Sequence, residues 1–300
     1  MKGMNDRNLV YAGKRTKWTS GQIIVFVSLT IIAFIIFFPF YNAVVISFET
    51  NRAFTLNPVS LYPTEFSLAN YEYLINNGNI LSGYRNTIFI TSIGTILSMA
   101  VSVMMAYAFS RRSFPGKKFL FLVVMFTMLF SGGMIPTYLQ FKNLGLIDSR
   151  WSVILYAGVS TYNIIILKSG FEQTPIELEE AAKIDGANDL IIFARIELPL
   201  QSALLATFTL FTAVAYWNEW FWSMLLINSA DKMTLQTALR AIVSEASAAA
   251  DVSSGEAGSD VFTQGVKMAA VMLTMLPIMC FYPFLQKYFV KGVLVGSVKM

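Results

Sequence analysis

Stretches of chain that lack Lys, Arg, Asp and Glu altogether decide what this sequence can fold into. Five run without a break: residues 18–48 (31 residues), 86–110 (25), 119–141 (23), 151–167 (17) and 268–286 (19). A sixth, residues 198–230, covers 33 positions with Glu219 as its single charge. A helix needs about 20 mostly apolar residues to cross a bilayer. The fourth run reaches that length if Gly170 and Phe171 extend it past Lys168, whose ammonium can snorkel. The pattern predicts an all-α membrane protein with six transmembrane helices. Composition agrees: 55% of residues are hydrophobic, 13% are charged, and mean hydropathy is +0.58. A soluble domain carries roughly 25% charge, which this chain cannot supply.

Composition also excludes chemistry. Histidine is absent, which removes His-based metal sites, Ser/His and Cys/His nucleophile pairs, and histidine pH switching. Cys280 is the single cysteine, so no disulfide can form within the chain. The net charge of +4 reads as topology rather than as nucleic-acid binding. Lys14, Arg15 and Lys17 precede the first run as they would precede a signal peptide. That run is too long, however, and no small-x-small cleavage site follows a short apolar core, so a span is the better reading.

Lys and Arg counts set the orientation. With the N-terminus inside, the inner segments hold 15 of them and the outer segments 7, so both termini are expected in the cytoplasm. The expected organisation is a cytoplasmic N-terminal segment 1–17, a membrane domain 18–290 with a core at about 86–286, and a cytoplasmic tail 291–300. Three connections are too long for simple turns. The outer loop 49–85 contains Ser67, a cap for a short surface helix through Ala69 and Asn70. The outer loop 228–267 is rich in Ser, Ala and Gly over 244–260, and reads either as a flexible tether or as a contact for an external partner. The third, 168–198, lies inside.

That inner loop carries the most information. Thr174 is placed as an N-cap, Pro175 as the first helical residue and Glu177 as the partner in a capping box. Gly186 after Asp185 suits a left-handed helix end, and Asn188 can cap a second helix running to Pro199. A helix, a tight turn and a second helix are therefore expected. Ala181 and Ala182 offer a smooth face for close approach of another backbone. Glu179, Glu180 and Asp185 offer carboxylates to basic groups. On spacing alone, a solvated acid-rich surface helix fits equally well.

Glu180-Ala181-Ala182, Asp185-Gly186-Ala187, Phe193, Ile196 and Leu198-Pro199-Leu200 match, at each position, the pattern EAA-x-x-DGA-x5-F-x-x-I-x-LPL. This loop resembles the EAA loop of ABC-importer permeases. The resemblance extends to Tyr288–Gly292 and Gly296–Lys299, which look like the tail of carbohydrate permeases of the maltose-permease type. Residues 130–138 and 216–221 resemble more narrowly the subgroup that handles polysaccharide-derived oligosaccharides. The proline that such permeases often carry just after Leu-Pro-Leu is missing from Gln201-Ser202-Ala203-Leu204, which leaves open the angle at which helix five enters the membrane.

The resemblance implies a type I ABC-importer permease of the bacterial plasma membrane, paired with a second homologous permease. It implies a cytoplasmic ATPase dimer below, holding ATP and Mg, and a periplasmic or extracellular solute-binding protein above. The coupling residues it implies are Glu179, Glu180, Ala181, Ala182, Asp185 and Gly186. It implies alternating access driven by the ATPases, with no covalent chemistry, cofactor or metal in this chain. The sequence agrees on the last point. A phosphate loop needs Gly-x4-Gly-Lys-Ser/Thr. Gly13-Lys14 has Asn8 and Arg15 at the flanking positions, and Gly116-Lys117 has Arg111 and Lys118.

Glu219 is the one ionisable group inside an expected span, and intramembrane carboxylates usually face a cavity or a partner. It lies roughly 30 Å along helix five from the inner end, at 1.5 Å per residue. Tyr216, Glu219, Trp222 and Ser223 share one face by i−3, i+3 and i+4 spacing. Together with Asn218, that face suits a sugar's apolar C–H surface and hydroxyl rim. An aromatic belt at the outer interface is the competing explanation. Gly132 and Gly133, with Pro136, should loosen helix three, either to line the pathway or to pack helices closely. The rival functions are a self-sufficient secondary transporter or channel, which would need its own coupling ion site, and a membrane-embedded enzyme, which would need an acid/base pair.

Overall fold

A computed structural model describes residues 19–77, 80–111, 114–252 and 262–297. Among these residues helices are joined by turns and loops, and the only strand-like pairing is one isolated antiparallel bridge between Glu49 and Phe66. The expected N-terminal segment 1–17 lies outside the described residues, as do 253–261 of the second outer loop and 298–300 of the tail.

Helix α1 (Ser20–Ser47) has a mean hydropathy of 2.9 over its most apolar window, none of which is buried within the chain. Side chains such as Phe34 and Phe37 stand outward, a surface that belongs in hydrocarbon. Its far end is buried, and Ser47 there accepts from Asn70 and Tyr71 of a short helix, α3 (Ala69–Asn77), which follows another, α2 (Asn51–Leu56). The Ser67 hydroxyl accepts from the Ala69 N–H at 3.1 Å, so the surface helix begins where the sequence placed it.

Helix α4 (Ile80–Ser110) is built inside out. Its buried face carries Asn86, Thr87, Gly94, Thr95, Ser98, Ser102 and Ala106, while Ile88, Ile96 and Met104 face outward. Lipid tails are as apolar as leucine, so small and hydroxylic residues, which let backbones approach, mark the protein-facing side. Gly94 lies directly under the ring of Tyr216, whose hydroxyl donates to the Ile154 carbonyl at 2.8 Å.

Three of the expected spans are bent. The third divides into α5 (Lys117–Leu129) and α6 (Met134–Asn143), turned 115° apart. The loosening expected at Gly132-Gly133 is thus a complete break: Gly133 sits at φ +87°, outside any helix. The fourth divides into α7 (Arg150–Tyr156) and α8 (Thr161–Glu172), bent by 50°. Inside it Asn163 donates to Thr212 at 3.0 Å, tying α8 to the next span. Beyond α8 come α9 (Ile176–Ile184) and α10 (Asp189–Ile192), a π turn at Phe193–Glu197, and α11 (Leu198–Leu200). Then α12 (Ser202–Trp217) starts after an 80° turn, which answers the question left by the missing proline.

The continuous helix expected through Glu219 does not exist. Helix α12 stops at Trp217, and α13 (Phe221–Leu226) begins after a break. The connection 228–267 is more ordered than its composition suggests, because α14 (Leu235–Val252) occupies much of its first half. The last helix, α15 (Thr263–Ser297), runs 35 residues and takes in most of what was expected to be a separate tail. Among the described residues three helices are long and apolar enough to cross a membrane alone: α1, α4 and the Thr263–Cys280 part of α15. The three bent pairs meet that length and apolarity as pairs.

Candidate functional site

The inner loop folds as the helical hairpin its sequence predicts. At the end of α9 the Gly186 N–H bonds to the Lys183 carbonyl at 3.0 Å and the Ala187 N–H to the Ala182 carbonyl at 2.9 Å. With Gly186 at φ +83°, this pair of bonds closes the helix in a Schellman turn. Asn188 then caps α10, its Oδ1 accepting from the Ile191 N–H at 2.9 Å. The other cap differs from expectation. Helix α9 has Pro175, not Thr174, before its first residue, and no side chain caps it. The Thr174 hydroxyl donates instead to Glu197 Oε2 at 2.9 Å, because a buried carboxylate is the stronger acceptor.

Glu197 is 1% exposed, and it belongs to a cluster that no local spacing announces. Arg111, just past the C-terminal end of α4, forms two ion pairs, one to Glu179 on α9 and one to Glu197 at 2.8 Å on the second arm of the hairpin. Its guanidinium lies 4.4 Å over the ring of Tyr107, and its Nε donates to the Ser110 hydroxyl. Tyr107 also packs on Phe171 and Phe193, at 5.8 and 4.7 Å between ring centroids. Gln201 completes the root by donating to the Gly170 carbonyl at 2.9 Å. Both arms of the hairpin are thereby fastened to one span. Burial pushes the Glu179 carboxyl up, yet Lys183 and Arg111 outweigh it and hold its pKa below the usual carboxylate value.

This geometry sorts the predicted coupling residues. Glu179 faces inward and is already paired within the chain. Glu180, Ala181, Asp185 and Gly186 face outward, and Ala182 is half-buried. Beside them Ile184 is 86% exposed and Leu190 75% exposed. Two large aliphatic residues in water, rimmed by carboxylates, form the kind of surface that a partner protein covers. Sequence reading missed both Arg111 and Ile184. Arg111 lies 68 residues from Glu179, a separation that no periodicity reports.

The predicted pathway residues are scattered by the break after Trp217. Tyr216 is buried against Gly94, and Ser223 is buried with its hydroxyl bonded to Thr234 at 3.1 Å. Glu219 Oε1 accepts from the Trp222 N–H at 2.8 Å, so the carboxylate caps the first turn of α13. Trp222 stacks on Tyr156 with 4.1 Å between ring centroids. Asn218 is exposed and donates back to the Val214 carbonyl. Gly132 and Gly133 lie in the open break between α5 and α6. Glu219 and Trp222 meet, but Tyr216 and Ser223 do not join them on one face.

A second unannounced cluster ties the break after α13 to the start of α7. Asp148, at φ +60°, accepts from the Asn228 and Ser229 N–H groups and the Ser229 hydroxyl, and pairs with Lys232 at 2.6 Å. Lys232 and Ser229 hold its carboxyl well below the ordinary Asp value. A depressed carboxylate contributes stability that is fully present above its unfolded pKa, about 3.9, and fades only as pH falls through the lower folded value. The protection of the Asn228 and Ser229 amides from hydrogen exchange, relative to the intrinsic rate at each pH, is therefore expected to be the same from pH 5 to 8. Asp148→Asn should lower that protection across the whole window; unchanged protection in the variant would count against the latch.

A family model matches residues 97–295, and the chain belongs to that family, the binding-protein-dependent transport system inner membrane components. It is 43% identical over 279 residues, 93% of this chain and 98% of the relative, to the polygalacturonan/rhamnogalacturonan transport system permease protein YtcP of Bacillus subtilis. Protein LplC of the same organism is 41% identical over 87% of this chain and 88% of its own. Among solved structures, a chain of a bacterial ABC transporter involved in the import of the acidic polysaccharide alginate superposes with a TM-score of 0.80. It is 32% identical and covers 89% of this chain and 95% of its own.

Proposed function

We propose that the chain is one permease subunit of an ABC importer that brings oligosaccharides across the bacterial plasma membrane. In this reading α1, α4, the bent pairs α5/α6 and α7/α8, α12 and α15 are the six spans, with both termini in the cytoplasm. A second homologous permease completes the pathway, a binding protein delivers sugar from outside, and an ATPase dimer that binds ATP and Mg docks on the α9–α10 hairpin. ATP hydrolysis belongs to that partner. Closure of the ATPase dimer moves the hairpins of the two permeases together, and rigid-body motion then closes the inner side and opens the outer. Family membership and the polysaccharide and alginate transport named for the relatives support the substrate class.

One observation carries the coupling role. The hairpin turns Glu180, Asp185 and Ile184 out to solvent while Arg111 fixes its root to α4. A surface helix with no task outside the chain has no need of such a brace. Co-expression with the second permease and the ATPase tests it by pull-down. Glu180→Ala with Gly186→Arg is expected to lose the ATPase while the permease pair stays intact. The added strain is about 1–2 kcal/mol, because Gly186 is left-handed. If ATPase retention is the same with and without the two substitutions, the hairpin is not the dock.

A further inference from the structure

Helices α14 and α15 flank an open groove of about 250 Å³ that the coupling role does not explain. Leu239, Val243 and Ala270 form an apolar floor, and Gln236, Arg240 and Lys267 stand on its rim. Among the described residues neither Arg240 nor Lys267 forms an ion pair or a hydrogen bond, unlike Arg111, Lys168, Lys183 and Lys232. Arg240 is nevertheless held in place. Its guanidinium lies 4.1 Å over the ring of Trp220, in the break between α12 and α13. Trp220 is itself tied to α14 by the Thr237 hydroxyl, which donates to its carbonyl. Stacking fixes the guanidinium plane and leaves its N–H edge free, which is the preorganisation that two-pronged carboxylate recognition needs. The Glu219 carboxylate is engaged at the Trp222 N–H and contacts neither cation.

We propose that this groove binds one uronate ring of an acidic oligosaccharide. The ring's C–H face rests on the Leu239–Ala270 floor and its carboxylate bridges Arg240 and Lys267. The volume suits the assignment, since sites for drug-sized ligands run to about 300–1,000 Å³ and this one is large enough for a single ring. Charge selects the ligand class: two cations without an ion pair among the described residues favour a carboxylate over a hydroxyl, because the bond between two charged groups is the stronger. The inference rests on the importer reading, in which the adjoining ends of α14 and α15 lie on the outer side of the membrane.

The test is uptake by the complete importer in proteoliposomes, with labelled oligogalacturonate and its methyl ester as paired probes. Arg240→Gln/Lys267→Gln is expected to lower the acid-to-ester uptake ratio about tenfold. Arg240→Lys/Lys267→Arg, which keeps both charges, should recover part of it. The ratio is read within each preparation, so a poorly assembled variant does not imitate the result. An unchanged ratio overturns the groove and leaves the importer reading intact. Equal loss for both probes that varies with the phosphatidylglycerol content of the vesicles assigns the cations to lipid and also overturns it. If wild-type vesicles import neither probe nor any neutral oligosaccharide, the importer reading falls, and the groove proposal with it.

Discussion

An Arg111→Gln permease is expected to assemble with its partner subunit and bind the ATPase, yet to transport at roughly one hundredth of the wild-type rate. Removing the guanidinium strands Glu197, whose side chain is 2% exposed, and releases Glu179 from α4. Breaking a buried ion pair by deleting one partner costs about 3–5 kcal/mol, because the remaining charge is left without compensation. Here that energy is what keeps α9 in register with the span beside it. Glu180 and Asp185 still face outward in the variant, so docking survives while transmission fails. The measurement is uptake per ATP hydrolysed in proteoliposomes, with a thermal melt of the same sample. Adding Glu197→Gln should restore most of the melting temperature by turning a stranded charge into a neutral pair. It should not restore the uptake ratio, because the link from Glu179 to α4 is still missing. Arg111→Lys should fall between, since an ammonium cannot span two carboxylates as a planar fork does. A wild-type uptake ratio in Arg111→Gln would show that the brace plays no part in coupling.

Gly94→Val should be nearly as damaging, through packing alone. A Cβ at position 94 would lie 2.6 Å from the Tyr216 ring. The ring cannot swing away, because it is 2% exposed and its hydroxyl is anchored on the Ile154 carbonyl. Helices α4 and α12 must then separate, and overpacking of this kind costs about 1–3 kcal/mol. Unfolding in detergent checks it. A second substitution, Tyr216→Leu, should recover part of the loss, because two residues in direct contact are not additive. If the double variant is no more stable than Gly94→Val, the collision is not the cause.

The break at Gly132-Gly133 and the end of α12 at Trp217 show where local reading stops. The first stretch is free of charge on either side, the second carries Glu219 as its single charge, and both read as continuous spans. Apolar length says that a segment is at home in the bilayer. It does not say that the segment is straight, since neighbouring helices can satisfy the backbone groups that a bend releases. The same limit applies to Tyr216, Trp222 and Ser223. Their spacing defines one face only on an unbroken helix, and the break sends Tyr216 to Gly94, Ser223 to Thr234 and Trp222 to Tyr156.

What the sequence by itself determined is everything that depends on neighbours along the chain. The apolar runs, the Schellman end at Gly186, the Asn188 cap and the hairpin they create all arise from contacts within a few residues. Tertiary structure alone decided which charge faces which. Arg111 meets Glu179 and Glu197, Asp148 meets Lys232, and Arg240 comes to lie on Trp220. An ion pair requires proximity in space, and residues 68 and 86 positions apart along a chain are brought together only when the helices between them have packed.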